Sequence, residues 1–320
     1  MVSDKEKDLA FQFGKELVET LSMAVNGKTS FLMKLVTGLV CGGHVLIEDV
    51  PGVGKTTAVK ALAQVFKAKR GVVMFRRIQF TPDLLPYDIT GVDIFDPESR
   101  SFRFQPGPVF SAIVLADEIN RATPKVQSAL LEAMEEGSVT VGNYTRPLHP
   151  LFFVAATQNP HDMEGTYPLP AAQLDRFLFQ LSVGYPEEED ELRILNEVSS
   201  RSGGLNLSPL FSAEEALKIR ETSHQVFVDP KITALVRSVL VASRKSPEVK
   251  LGLSPRAGIH LLRAVRVWAL FHGRNFVTDQ DVLDLGIDVF AHRMLLKNTQ
   301  KKSTELVENW IRDEIKKQHC

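Results

Sequence analysis

The run from His44 to Thr57, HVLIEDVPGVGKTT, has the residue types that grip a phosphate. An apolar stretch of strand length leads into Pro51, Gly52, Gly54, Lys55 and Thr56, and a helical apolar pattern follows through Val59, Leu62 and Phe66. Strand, glycine-rich turn, Gly-Lys-Thr and helix form the P-loop arrangement. Gly52 and Gly54 let backbone N–H groups close around phosphate oxygens where a Cβ would obstruct them. The helix beginning near Lys55 points its positive end at the same anion. Lys55 is expected to reach the β- and γ-phosphates of a nucleotide, and the Thr56 hydroxyl to take one position on Mg2+. The expected binding set is Asp49, Pro51, Gly52, Val53, Gly54, Lys55, Thr56 and Thr57. Asp49 stands where the G-x-x-x-x-G-K-[ST] pattern has its first glycine. Aspartate tolerates unusual turn geometry, which makes this a variant loop.

A second centre lies in SAIVLADEIN, Ser111 to Asn120. Ile113 to Ala116 is an unbroken apolar run, as in a strand buried on both faces, and Asp117 and Glu118 follow it. In a P-loop enzyme one acid here helps hold Mg2+ and its neighbour can orient the attacking water. Asp117 is assigned to the metal and Glu118 to the general base. A further apolar strand, 151–156, ends in Thr157-Gln158-Asn159-Pro160. A polar amide just past a buried strand sits on the ligand-facing rim of a parallel sheet. Asn159 either orients the water and senses the γ-phosphate there, or serves as a turn residue before proline. Arg176, in GTYPLPAAQLDRF, is either a solvated or salt-bridged surface arginine or an arginine finger reaching a phosphate on an adjacent subunit.

These groups need a scaffold, and the periodicity supplies one. Leu17, Leu21 and Val25, then Leu32, Leu35, Val36 and Leu39, recur at helical spacing, with breaks at Asn26-Gly27-Lys28 and Gly42-Gly43. Val72 to Phe80 reads as a strand, TPDLLPYDITG as a short helix, and the two sides of Asp96-Pro97-Glu98-Ser99 as a hairpin. Phe and Arg side chains near that tip either contact a client or pack on the chain and its neighbours. A helix is predicted from Pro124 to Gly137. Past Tyr185-Pro186 the β-rich character stops. Cap signals place helices at 187–199, 213–223, 231–244, 255–271, 281–290 and 304–316. The expected fold is α/β, an αβα P-loop core with a parallel sheet at 1–186, then a smaller all-helical domain at 187–320.

The chain of 320 residues is 44% hydrophobic and 24% charged with a net charge of −1. Such a balance gives no global pull toward nucleic acid or membrane. Cys41 and Cys320 form no metal spacing and no disulfide framework. No signal core or apolar span of about 18 residues is present, so no membrane span is expected and the cytoplasm is the expected location.

The set DVPGVGKT, LADEINRATPKVQSALLEAMEE, ATQNPHDMEGTYPLPAAQLDRF and LGLSPRA resembles the MoxR family of AAA+ ATPases, in the expected order over nearly the whole chain. The resemblance implies an ATPase core with a C-terminal helical lid, ATP and Mg2+ as ligands, and a ring, usually a hexamer, with ATP between subunits. By its motifs Lys55 and Thr56 are similar to Walker A residues and Asp117 and Glu118 to Walker B. Asn159 resembles sensor 1, Arg176 the arginine finger and Arg256 of SPRA the sensor 2 arginine. Arg121 resembles a residue that touches the neighbour's nucleotide, and 89–110 the helix 2 insert. Members are thought to act as chaperone-like machines that mature complexes or insert cofactors, often with a partner bearing a von Willebrand A-type metal-binding domain. Rival readings are a nucleotide-gated scaffold switch and a DNA-handling motor, and a metal-chelatase subunit is a close relative of the chaperone reading. The near-neutral charge disfavours the motor.

Overall fold

Helix periodicity and buried strands alternate along the chain as the patterns dictate. The structure, a computed structural model, describes residues 2–67, 74–160, 165–192, 207–298 and 302–319. Helices α1 (Asp4–Ser22) and α2 (Thr29–Val40) precede β1 (Val45–Glu48), α3 (Lys55–Gln64) and β2 (Phe75–Gln79). A one-turn helix α4 (Pro86–Thr90) leads into the hairpin β3 (Gly91–Asp96) and β4 (Ser101–Pro106). Next come β5 (Ile113–Asp117), α5 (Pro124–Glu136), a second hairpin of β6 (Ser138–Val141) and β7 (Tyr144–Pro147), and β8 (Phe153–Gln158). Helix α6 (Ala171–Leu174) and β9 (Phe179–Leu181) complete the sheet-bearing half. The rest is helical: α7 (Ala213–Ser223), α8 (Pro230–Lys245), α9 (Pro255–Phe271), α10 (Asp279–Phe290) and α11 (Ser303–His319), with a small ribbon of β10 (Val249–Leu251) and β11 (Leu295–Leu296).

Five strands form a parallel sheet in the order β2-β5-β8-β1-β9. Alternation on each strand divides the core. Val45, Ile47, Ile113, Leu115, Phe153 and Ala155 face the layer of α1, α2, α3 and the C-terminal helices. Leu46, Val114, Ala116, Val154 and Ala156 face the layer of α4 and α5. Strands covered on both faces must be apolar on both, which is why these runs are continuous. His44, just before β1, is buried between them: its Nδ1 accepts the Val154 N–H at 3.0 Å and its Nε2–H donates to the Met134 carbonyl at 3.1 Å. Burial pushes its pKa down to about 4, which keeps the acceptor nitrogen free at neutral pH.

The structure departs from the sequence expectation at several elements. Strand β2 begins at Phe75, and Val72 and Val73 lie outside the described residues. It is an edge strand that buries Ile78 while its alternate positions, Arg77 and Gln79, face outward. The strand expected at 151–156 runs Phe153–Gln158 instead, because Phe152 N–H closes a turn on the His149 carbonyl. Strands β6, β7 and β9 were not anticipated, being only three or four residues long. Of the helix expected at 187–199, residues 188–192 are helical and the remainder lies outside the described residues.

Candidate nucleotide site

The P-loop bridges the carboxyl end of β1 and the start of α3. Gly52 and Gly54 have φ of 87° and 92°, a region costly for any residue with a Cβ. Nothing lies within 4 Å of a Cβ built on Gly52. The first turn of α3 has no side-chain cap, so its N–H donors serve the space beside the loop. Val53, Gly54, Lys55 and Thr56 are half-buried, whereas Pro51, Gly52 and Thr57 are exposed. Lys55 Nζ donates to the Asp49 carbonyl at 2.6 Å. Burial pulls the Lys55 pKa down, against the attraction of Asp49, Asp117, Glu118 and Glu48. A half-buried ammonium amid free donors is a cradle suited to polyphosphate.

Asp49 is explained differently from the sequence expectation. Among the described residues, the non-glycine positions with positive φ are Arg100 and Glu118, so Asp49 is not there for turn geometry. Its carboxylate is a clasp. Oδ2 accepts from Ser182 Oγ at 2.8 Å and from the Val183 and Gly184 N–H groups at 2.7 Å each, and Oδ1 accepts from Val50 N–H at 2.8 Å. Burial raises its pKa, but these four donors outweigh it and leave the group below the usual range. It ties the P-loop to the segment after β9. Asp49→Ala is expected to cost about 3 kcal/mol of stability, because buried donors lose their partner. Urea denaturation checks this, and an unchanged midpoint would contradict the clasp.

The adjacency of β1, β8 and β5 brings Lys55, Asp117 and the turn carrying Asn159 to one carboxyl-end rim of the sheet. Here the structure adds residues that the sequence did not single out. Arg77 donates Nε–H at 3.1 Å and Nη2–H at 2.6 Å to Asp117 Oδ2. Thr157 Oγ donates to Asp117 Oδ1 at 2.6 Å and accepts the Glu118 N–H at 3.0 Å. Arg77 Nη2 also donates to Gln79 Oε1 at 2.8 Å, and Gln79 Nε2 donates to Glu118 Oε2 at 2.9 Å. Arg121 Nε lies 3.4 Å from the same Glu118 oxygen. Each acid therefore faces an arginine, and Gln79 links the two pairs. Glu118 has φ 57° and ψ 50°, a left-handed geometry that turns the chain out of β5 into the helical turn Ile119–Arg121. For a non-glycine residue this conformation costs energy and persists where surrounding bonds impose it. The alternation of Arg77 and Gln79 around Ile78 was the signal available in the sequence. Register pairs Gln79 with Asp117 across β2 and β5.

Arg176 and Arg256 are brought together elsewhere. Glu135 on α5 holds both, with Oε2 3.0 Å from Arg176 Nη2 and Oε1 2.7 Å from Arg256 Nη2. The Arg256 hydrogen bond, ahead of the Coulomb attraction of both cations, pulls the Glu135 pKa down. The three line a cleft of about 400 Å3 with Gly43, His44 and Leu178. Gly43 and His44 lead into β1 and Leu178 leads into β9, so this is the amino-end rim of the sheet. The P-loop is at the opposite end of β1, a strand about 13 Å long.

Residues 44–179 match the model of the ATPase family associated with various cellular activities (AAA), and residues 241–310 that of the AAA lid domain. The chain is similar to Chaperone MoxR1 of Mycobacterium tuberculosis, at 42% identity over 84% of this chain and 72% of that one. It is 46% identical to the Bacillus subtilis protein YeaC, over 91% and 89% of the two chains. A crystal structure from Cytophaga hutchinsonii superposes with a TM-score of 0.87 at 34% identity, covering 96% of each chain.

Proposed function

Since this chain belongs to the MoxR family of AAA+ ATPases, we propose that it hydrolyses ATP with Mg2+ in a ring of subunits and uses turnover to remodel or mature a partner complex. One observation carries the reading: the nucleotide groups and the arginine pair stand at opposite ends of the same sheet. A subunit's own Arg176 and Arg256 stand at the rim away from its own P-loop, and a neighbour in a ring, a hexamer by family resemblance, would supply that pair. Mg2+ would be held by Thr56 and Asp117 and would neutralise charge on the phosphates. Lys55 and the loop N–H groups bind the β- and γ-phosphates. Glu118, with Asn159 on the same rim of the sheet, orients the attacking water and takes its proton. Arg176 and Arg256 of the adjacent subunit offset the charge that grows on the γ-phosphoryl oxygens.

The chaperone role rests on the relative named Chaperone MoxR1. The partner class is the one the resemblance implies, a protein with a von Willebrand A-type domain. Among the described residues no helix is long and apolar enough to cross a membrane, and we assign the work to the cytoplasm. Specific activity measured against protein concentration tests the shared site. Activity is expected to rise steeply as subunits associate. High, concentration-independent turnover from demonstrated monomers would refute it.

A further inference from the structure

A buried cation from the C-terminal half brackets Arg176 on both sides. Arg293, in the helical turn Ala291–Arg293 after α10, is 4% exposed. Its Nε–H donates to Asp175 Oδ1 at 2.8 Å and Nη2–H reaches the Asp175 carbonyl at 3.4 Å, just before Arg176. Just after it, Nη2–H donates to the Phe177 carbonyl and Nη1–H to the Leu178 carbonyl at 3.2 Å. Nη1 also donates to the Val289 carbonyl, which anchors the guanidinium to its own helix. Nη2 meets His260 Nδ1 at 2.6 Å. Burial, then the charge of Arg293, pushes the His260 pKa down to about 3, so that nitrogen is an acceptor at neutral pH. Asp175 turns its other oxygen to Ser254 Oγ at 3.4 Å, and Ser254 caps α9, the helix that carries Arg256. One carboxylate and one guanidinium thus tie the backbone of Arg176 to that of Arg256.

We infer that Arg293 is a positioning residue for the arginine pair a subunit offers its neighbour, acting through Asp175 to set the place of Arg176 and Arg256 together. This rests on the shared-site reading above. The physical reason is the fork: a planar guanidinium with five N–H donors can satisfy carbonyls on both sides of Arg176 and a carboxylate at once, and an ammonium cannot. Glu135 holds the tips of the two arginines, while Arg293 and Asp175 hold their bases. Misplacement of a reacting or stabilising group by about 1 Å costs about 10²-fold in rate.

Mixed rings separate the outcomes. Arg176→Ala combined with Lys55→Ala first tests the shared site, since intact P-loops of one variant then face intact arginines of the other. Turnover is expected to return in the mixture, and its failure to do so would reject the shared-site reading and with it this inference. Arg293→Lys alone is expected to lose about 10²-fold in kcat with unchanged affinity for a fluorescent ATP analogue. Mixed with Lys55→Ala it is expected to regain turnover as Arg176→Ala does, because its own P-loop is intact. A purely structural role would not produce that rescue. No regain in this mixture, when the Arg176→Ala mixture recovers, overturns the inference, as does wild-type turnover by Arg293→Lys alone. If Arg293→Lys lacks a cooperative melting transition, Asp175→Asn reads the same contact from its other end, and the same two results decide.

Discussion

Arg176→Ala is expected to lower ATP turnover by about 10³-fold or more, the scale of an arginine supplied in trans. Binding of ATP is expected to stay unchanged, because the ground-state phosphates are held by Lys55 and the loop N–H groups of the binding subunit, which the substitution leaves intact. Charge on the γ-phosphoryl oxygens increases in the transition state, so an arginine aimed there raises kcat rather than ground-state affinity. Unfolding is not the cause to expect. The Arg176 side chain is 30% exposed and its partner Glu135 keeps Arg256, so the lost ion pair is worth at most about 1 kcal/mol. Steady-state turnover and equilibrium binding on assembled protein check this. Wild-type turnover from the assembled variant would remove Arg176 from the reaction.

Glu118→Gln is expected to lower turnover by about 10²- to 10⁴-fold, the usual contribution of a positioned general base. The substitution keeps shape and loses the basic oxygen. The Glu118 N–H bond to Thr157 is a backbone contact and survives, so the left-handed turn after β5 is preserved. Asp117 keeps Arg77 and Thr157, and Lys55 is untouched. The variant should therefore bind ATP without cleaving it, and single-turnover measurement reads the chemical step directly. Purified from its native lysate with and without ATP and Mg2+, it should retain its partner only in the nucleotide-bound form. Normal hydrolysis would transfer the base role to another group. Nucleic acid in place of protein in that fraction would favour a motor on DNA.

What was legible in the sequence is what neighbouring residues encode. The P-loop, the acids at the end of β5 and the capped helices are each contained in a dozen residues or so. Their chemistry depends on order and spacing that the chain itself displays. Helices 213–223 and 255–271 coincide with α7 and α9 because their caps, Ser212 and Ser254, bond within the next turn. Asp49 was visible as a departure from the motif, yet its reason was not, since three of its four donors lie 133 to 135 positions away. Arg77, Gln79 and Thr157 sit on other strands, 39 or 40 positions from the acids they hold. Arg176 was left open between a surface charge and a finger, and Glu135 joining it to Arg256, 121 positions from that glutamate, separates the pair from the P-loop of the same subunit. A parallel sheet puts the carboxyl ends of its strands on one rim and their amino ends on the other. Contacts across strands and layers then choose which charged groups meet, because a carboxylate or guanidinium taken out of water must find its partner wherever the fold brings one.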